Sequence, residues 1–339
     1  MKLKKSIMFF ATSLFLIPSL HAEEKTKPKI YAYDYWAYKT AHEFIDQMDQ
    51  NTDIKQLSAQ NPNGDLQCMP VFKNSIKNGV LDIRYALGYF DDSQGIDIMY
   101  DGFNYGLSPS LDVEVFHILR RALTDTCDTP TKQLCGFKET GNPASGLVEL
   151  SKNVNILGSN VLVKITLTHA SASESFTDNK GPLADTQKAL TLQSEQNYFD
   201  HIGISDVVIY NGHSRNGGGP DFNPPLLDKH LHVDYDGYYR VKKPGITRVL
   251  NQMKKNPNKD FILGLFACYS QKHYYSALTK VNKNQRMVLS IDTIDYFDSL
   301  HASLGLMESL LRGQCGDNTN KFIQLTEKLS KGYKAFQIK

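Results

Sequence analysis

The sequence lacks several features that would assign a function directly. After the first 20 residues, the chain contains no apolar run long enough to span a bilayer. No GxxxxGK[ST] or GxGxxG signature follows an apolar, strand-like segment, so a glycine-rich phosphate-binding loop is not indicated. Internal repeats and low-complexity segments are also missing. These absences disfavour a membrane-spanning protein and the common nucleotide-binding motifs.

The sequence also lacks a large excess of charge of either sign. The 339 residues include 38 Lys and Arg against 36 Asp and Glu, which gives a formal net charge of +2. Three of the lysines lie in the first five residues, so without them the net charge is −1 (2 minus 3). A nucleic-acid-binding protein usually presents a clustered basic face. We therefore expect no nucleic-acid partner.

The amino-terminal residues have the three-part pattern of a secretory signal. Lysines at the start are followed by an apolar run from Ser6 to Leu20 and by the small residue Ala22. We predict a signal peptide over residues 1–22, with an uncleaved anchor as the alternative because Leu20 is large for its position. The mature protein is then expected to be periplasmic or secreted, with no stable insertion in the membrane.

Only five cysteines are present, and an oxidising compartment favours their pairing. Cys127 and Cys135 enclose a short loop that contains a proline, and they form a natural pair. Cys68 with Cys315 is the second pair that we favour, although the sequence alone leaves this connectivity open. Cys268 ends an apolar, strand-like run instead of lying in a polar loop, and we expect it to remain a free thiol.

Two regions follow the signal peptide. Residues 23–150 are expected to form an α+β region, with a helix around residues 40–50, two strands joined by a turn at residues 91–95, and a helix from about residue 108. In residues 151–339, short apolar runs alternate with segments of helical periodicity. This alternation predicts a mostly parallel sheet covered on both faces, which is a three-layer α/β/α domain.

Two of the predicted strands end on reactive side chains. The run DVVIY leads into Asn211, Gly212 and His213, and the run FILGLFA leads into Cys268. Ligands of open parallel sheets bind at the carboxyl ends of the strands, and consecutive parallel strands are often neighbours. Cys268 also lies near the start of the next predicted helix, whose dipole favours a thiolate. A histidine in reach of a cysteine is what nucleophilic thiol catalysis requires.

The segments VVIYNGHS and FILGLFACYS resemble the two active-site blocks of the caspase-like cysteine peptidases, the clan of caspases, legumains, gingipains, separases and CHAT-domain proteases. The resemblance covers roughly residues 160–294. It implies a caspase-like fold and peptide-bond hydrolysis, with His213 as general base and Cys268 as nucleophile. It also implies a protein or peptide substrate and no cofactor. Ser214 departs from the clan, which usually has glycine there, and Gln271 stands where glycine often follows.

Residues around the two strand ends are expected to form the oxyanion site and the substrate cleft. Ser214 still has a backbone N–H to donate to an oxyanion. Loops at the strand ends set specificity in this clan, so their side chains are further pocket candidates. The expected set is Gly212, Ser214, Tyr269, Ser270, His169 and Asp292, with Thr168, Thr293, Tyr210, Arg215 and Asp221 as further candidates.

A second cluster offers a different chemistry. In DKHLHVDYDG, the residues His230, His232, Asp234 and Asp236 stand at alternate positions, and alternate residues of an extended segment share one face. Such ligands could hold a metal ion, so a metal-dependent hydrolase is one alternative, while a polar loop is the simpler interpretation of this segment. A non-catalytic binding protein with a caspase-like fold is the other alternative. We favour an exported cysteine peptidase that needs no cofactor.

Overall fold

The computed structural model describes residues 32–51, 68–89, 97–100, 103–107, 111–170, 184–230, 232–256, 260–329 and 336–338. The signal peptide expected over residues 1–22 and the turn expected at residues 91–95 lie outside this part of the chain. Within it, no helix combines the length and the apolar character needed to cross a bilayer.

The described residues contain ten strands, eight of which form one mixed sheet. In chain order the strands are β1 (Val80–Leu87), β2 (Asp97–Tyr100), β3 (Phe103–Leu107), β4 (Lys138–Asn142), β5 (Leu147–Ile156), β6 (Ser159–His169), β7 (Val207–Asn211), β8 (Ile262–Phe266), β9 (Arg286–Ser290) and β10 (Phe336–Ile338). The sheet order is β10-β9-β8-β7-β1-β6-β5-β4, and β2 pairs with β3 in a separate hairpin. β6, β1, β7, β8 and β9 are parallel, whereas β10, β5 and β4 pair antiparallel with their neighbours.

Eight helices of ten or more residues are found in the described part of the chain. They are α1 (Ala32–Gln50), α2 (Met69–Asn78), α3 (Leu111–Thr124), α4 (Ala184–Phe199), α5 (Pro244–Lys255), α6 (Ser270–Val281), α7 (Tyr296–Leu311) and α8 (Asp317–Leu329). A π-helical turn at Tyr235–Tyr239 runs into a short helical turn at Arg240–Lys242 just before α5. Two 3₁₀ turns lie at Pro143–Ser145 and Arg215–Gly217.

The two faces of the sheet carry separate hydrophobic cores because successive strand residues point to opposite sides. In β7, Val207 and Ile209 belong to the core that contains α1, α2, α3, α7 and α8. Val208 and Tyr210 belong to the core that contains α4, α5 and α6. Every residue of β7 and β8 is buried, as expected for strands covered on both faces. The predicted α/β architecture, a mostly parallel sheet with helices on both faces, is confirmed at this level.

The division expected near residue 150 does not follow the sheet. Residues 150 and 151 both lie inside β5, and β1, from the expected N-terminal region, stands between β6 and β7 in the middle of the sheet. β4 and the first part of β5 extend the sheet at one edge. An apolar strand does not show in its own sequence which strands it will pair with. In the described residues, the two expected regions therefore share one sheet.

Two disulfides are present, and both join the predicted pairs. The Cα atoms are 5.3 Å apart in Cys127–Cys135 and 6.0 Å apart in Cys68–Cys315. The second bond links the residue just before α2 to the segment between α7 and α8. Cys268 is the free cysteine, as expected from its position after an apolar strand.

The order of the parallel strands points to the carboxyl end of β7 as a functional position. Counted along the chain, the five parallel strands lie in the order second, first, third, fourth and fifth. In such doubly wound sheets, ligands bind at the carboxyl ends of the strands where this order reverses, which is here between β1 and β7. The backbone ladder ends there with a hydrogen bond from the Gly88 N–H to the Asn211 carbonyl, 2.8 Å.

Candidate active site

His213 and Cys268 follow neighbouring strands at the same level of the sheet. The parallel register of β7 and β8 pairs Asn211 with Phe266, an offset of 55 residues (266 minus 211). The offset between His213 and Cys268 is the same (268 minus 213). The Gly212 N–H donates to the Phe266 carbonyl at 3.1 Å, which continues the ladder beyond β7. Because adjacent strands lie about 4.8 Å apart, the fold brings these two residues to the same edge of the sheet.

Left-handed backbone conformations bend the chain after both strands. Arg215 and Asn216 have φ angles of +46° and +50°, and Tyr269 has a φ of +52°. Such angles are unfavourable for residues other than glycine, and they cluster at functional sites. The N–H of Tyr269 donates to the Asp292 carbonyl at 2.9 Å, and α6 begins at the next residue. This sharp turn leaves Cys268 at the corner between β8 and α6.

The Cys268 thiol is unpaired and partly exposed. Its Sγ donates a hydrogen bond to the carbonyl of Ile294 at 3.5 Å. Ile294 follows β9, which flanks β8 on the side opposite to β7. The thiol therefore donates toward the β9 side of β8 in this state, and rotation about the Cβ–Sγ bond of Cys268 is needed to direct its hydrogen toward the β7 side.

The His213 imidazole is neutral at physiological pH. Burial, and after it the positive charge of Arg215, lower the pKa of His213 to about 3. The His213 carbonyl accepts a hydrogen bond from the Tyr210 hydroxyl at 2.9 Å, which fixes its backbone. A neutral imidazole has the lone pair that a general base uses, so His213 is in the protonation state that accepts a thiol proton.

A buried ion pair joins the turn after His213 to the loop that follows it. The Nε of Arg215 donates to Oδ2 of Asp221 at 2.9 Å, and the Arg215 side chain is only 3% exposed. Its guanidinium carbon lies 5.6 Å from the ring centre of Tyr89 and 5.9 Å from that of Tyr239. The Tyr239 hydroxyl donates to the same Asp221 oxygen at 3.2 Å. Because a buried charge that loses its partner is strongly unfavourable, this pair anchors the turn after His213.

Two backbone N–H groups near the strand ends are available to an oxyanion. Among the described residues, the N–H groups of Ser214 and Cys268 have no hydrogen-bond acceptor. The Ser214 carbonyl, in contrast, accepts from the N–H of Gly219 at 2.9 Å and from the Tyr274 hydroxyl at 2.8 Å, so its position is fixed. Preorganised N–H donors of this kind stabilise the oxyanion that forms in acyl transfer.

The predicted cleft residues after β8 and β9 divide into two kinds. Tyr269 is 38% exposed, and its hydrogen bond to Asp292 places both residues beside Cys268. Ser270 is fully buried, and its N–H donates to the Ser290 hydroxyl at 3.0 Å. Ser270 therefore links the end of β8 to the end of β9 and does not face a substrate.

His169, predicted to line the cleft, is buried and does not lie next to the ends of β7 and β8. It ends β6, and β1 separates β6 from β7. The ring is fully buried against Phe116, with 4.7 Å between ring centres, and burial lowers the pKa of His169 to about 4. The neighbouring Thr168 is buried as well, and its hydroxyl lies 3.1 Å from that of Ser194.

The alternating histidines and aspartates do not converge as the extended-segment hypothesis requires. The N–H groups of His230 and His232 both donate to Oδ1 of Asp228, at 2.8 and 3.0 Å, which folds the segment into a turn. Asp234 caps the π-helical turn, and Asp236 pairs with an arginine one turn later at 2.6 Å. Within the described ranges, no three His, Cys, Asp or Glu side chains are grouped to hold a metal ion.

Two contacts of the site leave no pattern in the sequence. The acceptor for the Cys268 thiol is the main-chain oxygen of Ile294, and any residue supplies such an oxygen. The hydroxyl that holds the Ser214 carbonyl belongs to Tyr274, on the buried face of α6. Helical periodicity could have identified Tyr274 as buried, but its polar partner depends on the packing of α6 against the turn after β7.

The resemblance to caspase-like peptidases rests on two short segments, residues 207–214 and 261–270. Comparison with known proteins finds no match to the chain among protein-family models, curated proteins or solved structures.

Proposed function

We propose that this protein is an exported cysteine peptidase of the caspase-like kind, with Cys268 as nucleophile and His213 as general base. The observation that carries the proposal is the common 55-residue offset, by which a free thiol and a neutral imidazole each lie two residues beyond the ends of adjacent parallel strands. The left-handed turn directly after Cys268 adds support, because it presents the thiol at the sheet edge.

The proposed reaction proceeds through an acyl-enzyme. Sγ of Cys268 attacks the scissile carbonyl carbon while His213 takes the thiol proton, and the carbonyl oxygen becomes an oxyanion. His213 then donates that proton to the leaving amine as the C–N bond breaks, which leaves a thioester. A water molecule attacks the thioester, its proton passes through His213 to the departing sulfur, and the carboxylic acid is released. The N–H groups of Ser214 and Cys268 hold the oxyanion in both halves.

His213 is expected to be a neutral imidazole in the resting enzyme. The pKa of His213 is lowered to about 3, so no imidazolium is present at neutral pH to stabilise a thiolate. The proton therefore moves to His213 only as the sulfur attacks. This differs from cysteine peptidases in which the pair is already ionised before substrate binds.

The two disulfides are consistent with the proposed export of the protein. Two disulfides account for four of the five cysteines, and disulfides persist in oxidising compartments such as the periplasm or the extracellular space. The expected partner is a protein or peptide substrate. Thiol catalysis of this kind needs no metal or organic cofactor.

The test compares variants of the two proposed catalytic residues. Cys268→Ala is expected to lose labelling by iodoacetamide and to lower hydrolysis of casein by at least about a thousandfold. His213→Gln should lose hydrolysis to a similar degree but keep the labelling, because the thiol remains. His201→Gln is the matched control, since this half-buried histidine lies before β7 at the opposite edge of the sheet.

Three outcomes would contradict the proposal. Hydrolysis retained in Cys268→Ala would exclude the thiol as nucleophile. The metal-dependent alternative would be favoured if the purified protein held stoichiometric zinc, lost its activity on chelation and kept it without Cys268. Labelling of Cys268 without hydrolysis of any peptide would instead favour a binding protein that keeps the fold but not the catalysis.

A further inference from the structure

A cavity of about 400 Å³ lies beside the proposed active site, between α4, α5, the π-helical turn and the loop that follows the turn after β7. Its volume falls in the range of roughly 300–1,000 Å³ that is usual for small-ligand sites. Neither Cys268 nor His213 lines it. Aromatic and proline rings line part of it, beside polar and charged groups: Phe199, Phe222, Pro220, Pro224, Tyr238 and Tyr239.

The charged groups of the cavity are already neutralised within the protein. Glu195 pairs with Arg248, whose guanidinium also lies 4.1 Å from the ring centre of Phe199. Asp221 pairs with Arg215 behind the wall. An ion that entered the cavity would lose its hydration without finding an unpaired counter-ion. The expected occupant is therefore uncharged.

Hydrogen-bonding capacity remains at the cavity wall. The hydroxyl of Tyr238 has no partner among the described residues, and the guanidinium of Arg248 donates there only to Glu195 while its side chain is 38% exposed. Such donors suit carbonyl oxygens of a peptide backbone. The rings and proline faces suit a flat apolar side chain, which gains most from burial against surfaces of this shape.

The cavity is joined to the general base through a single hydroxyl group. Tyr210 Oη lies 2.9 Å from the His213 carbonyl, 2.8 Å from the Asp221 carbonyl and 2.9 Å from the Asp221 N–H. Asp221 lines the cavity. The carbonyl oxygens of His213 and Asp221 are therefore no more than 5.7 Å apart (2.9 plus 2.8), so this part of the cavity wall lies next to the backbone of the proposed base.

We infer that this cavity is a specificity subsite that binds an uncharged aromatic side chain of the peptide substrate. The inference rests on the proposed peptidase function for the identity of the ligand as a peptide. It does not depend on turnover, because a subsite binds its side chain whether or not the bond is cleaved.

The test measures equilibrium binding to the Cys268→Ala variant of the full chain. The probes are four blocked pentapeptides, acetylated and amidated, with Phe, Ala, Glu or Lys at the centre of four alanines. The Phe peptide should bind at least about tenfold more tightly than the other three, because burial of one aromatic side chain is sufficient for that factor. Equal binding of all four peptides, or preference for a charged one, would overturn the inference.

Matched pairs of variants locate the site. Leu226→Trp fills the cavity mouth and should remove the preference for Phe, whereas Leu227→Trp, at an exposed neighbour that does not line the cavity, should keep it. Tyr238→Ala and Tyr235→Ala form a second pair in the π-helical turn, of which only Tyr238 lines the cavity. If both members of each pair behave alike while remaining folded by thermal denaturation, the aromatic side chain binds elsewhere and the inference fails.

Hydrolysis by the unmodified protein separates this inference from the proposed function. Selective binding of the Phe peptide without its cleavage would support the subsite and contradict the proposed peptidase function. Cleavage of the Phe and Ala peptides with equal KM would support the peptidase function and contradict the subsite.

Discussion

The Tyr210 hydroxyl has a more central role in the site than its position within a buried strand suggests. It lies within hydrogen-bonding distance of three main-chain groups, the His213 carbonyl and both the carbonyl and the N–H of Asp221. The Tyr274 hydroxyl makes a comparable bond to the Ser214 carbonyl, but that carbonyl also accepts from the Gly219 N–H. Removing either hydroxyl changes one atom, yet the number of backbone groups left unsatisfied differs.

We predict that Tyr210→Phe destabilises the protein more than Tyr274→Phe. The first substitution leaves the buried Asp221 N–H and two carbonyls without this partner, at a cost of about 2–3 kcal/mol in the free energy of unfolding. The second leaves Ser214 with other donors and should cost about 1 kcal/mol. Urea denaturation followed by circular dichroism measures both. Equal losses would show that the Tyr210 hydroxyl does not hold the turn.

At the scale of elements, the ends of β7 and β8 could be predicted from the sequence, whereas the turn around Asp228 could not. The apolar runs before His213 and Cys268 form β7 and β8, since fully buried strands leave a clear pattern. The alternating histidines were expected on an extended segment, but the Asp228 carboxylate accepts two N–H bonds and folds a turn instead. A side chain that bonds to nearby backbone competes with extended structure, and hydrophobic periodicity does not register this competition.

The two disulfides connect elements at very different separations, and we predict unequal contributions to stability. Cys68–Cys315 closes a loop of 247 residues, whereas Cys127–Cys135 closes one of 8. In the chain-entropy model, removing the first bond costs about 5.5 kcal/mol and removing the second about 2.5 kcal/mol, because the longer loop restricts the unfolded chain more. The paired cysteine-to-alanine variants, compared by urea denaturation, test this difference.

Each double variant serves as the control for the other, since both lose one disulfide and two sulfur atoms. A larger loss for the Cys127/Cys135 variant would mean that local contacts of the short loop, and not the restriction of the unfolded chain, dominate its contribution. Neither bond lies at the proposed dyad, so both variants should keep Cys268 reactive toward iodoacetamide while folded.

For the whole molecule, the sequence indicated the layers but not the order of strands within the central layer. Regular alternation after residue 150 predicted a parallel sheet between helices, and this is what the hydrophobic cores on the two faces show. The central position of β1 was missed, because long-range pairing is decided by tertiary packing and not by the strand itself. His169 was expected near the cleft for the same reason, because the sequence did not show that β1 separates β6, the strand of His169, from β7.

Buried neutral histidines make the stability of the whole molecule sensitive to acid. Burial lowers the pKa to about 2 in His117, about 4 in His169 and His301, and about 3 in His213. The unfolded chain binds a proton at each of these imidazoles near pH 6.5, whereas the folded protein does not. The contribution of these neutral histidines to the free energy of unfolding is therefore fully present above about pH 6.5. It declines as the pH falls toward the pKa values of the folded protein.

We predict that the free energy of unfolding falls by roughly 3 kcal/mol per pH unit around pH 5. Each of the four histidines contributes up to about 1.4 kcal/mol per pH unit. Asp206 acts in the opposite direction, because burial raises its pKa to about 6 and the folded protein gains a proton there below that pH. Other buried carboxyls with raised pKa values oppose the histidines in the same way. Urea denaturation at pH 7.5, 6 and 5 measures the slope.

The variant His301→Gln separates this explanation from general acid denaturation. It removes one of the four titrating imidazoles, at a buried position where the ring stacks on Phe44 with 5.0 Å between ring centres. Its stability at pH 7.5 is expected to be lower because of lost packing, but its slope around pH 5 should be about 1.4 kcal/mol per pH unit shallower. An unchanged slope would show that the buried imidazoles do not control the acid limit, and that protonation of the carboxylates that form ion pairs does.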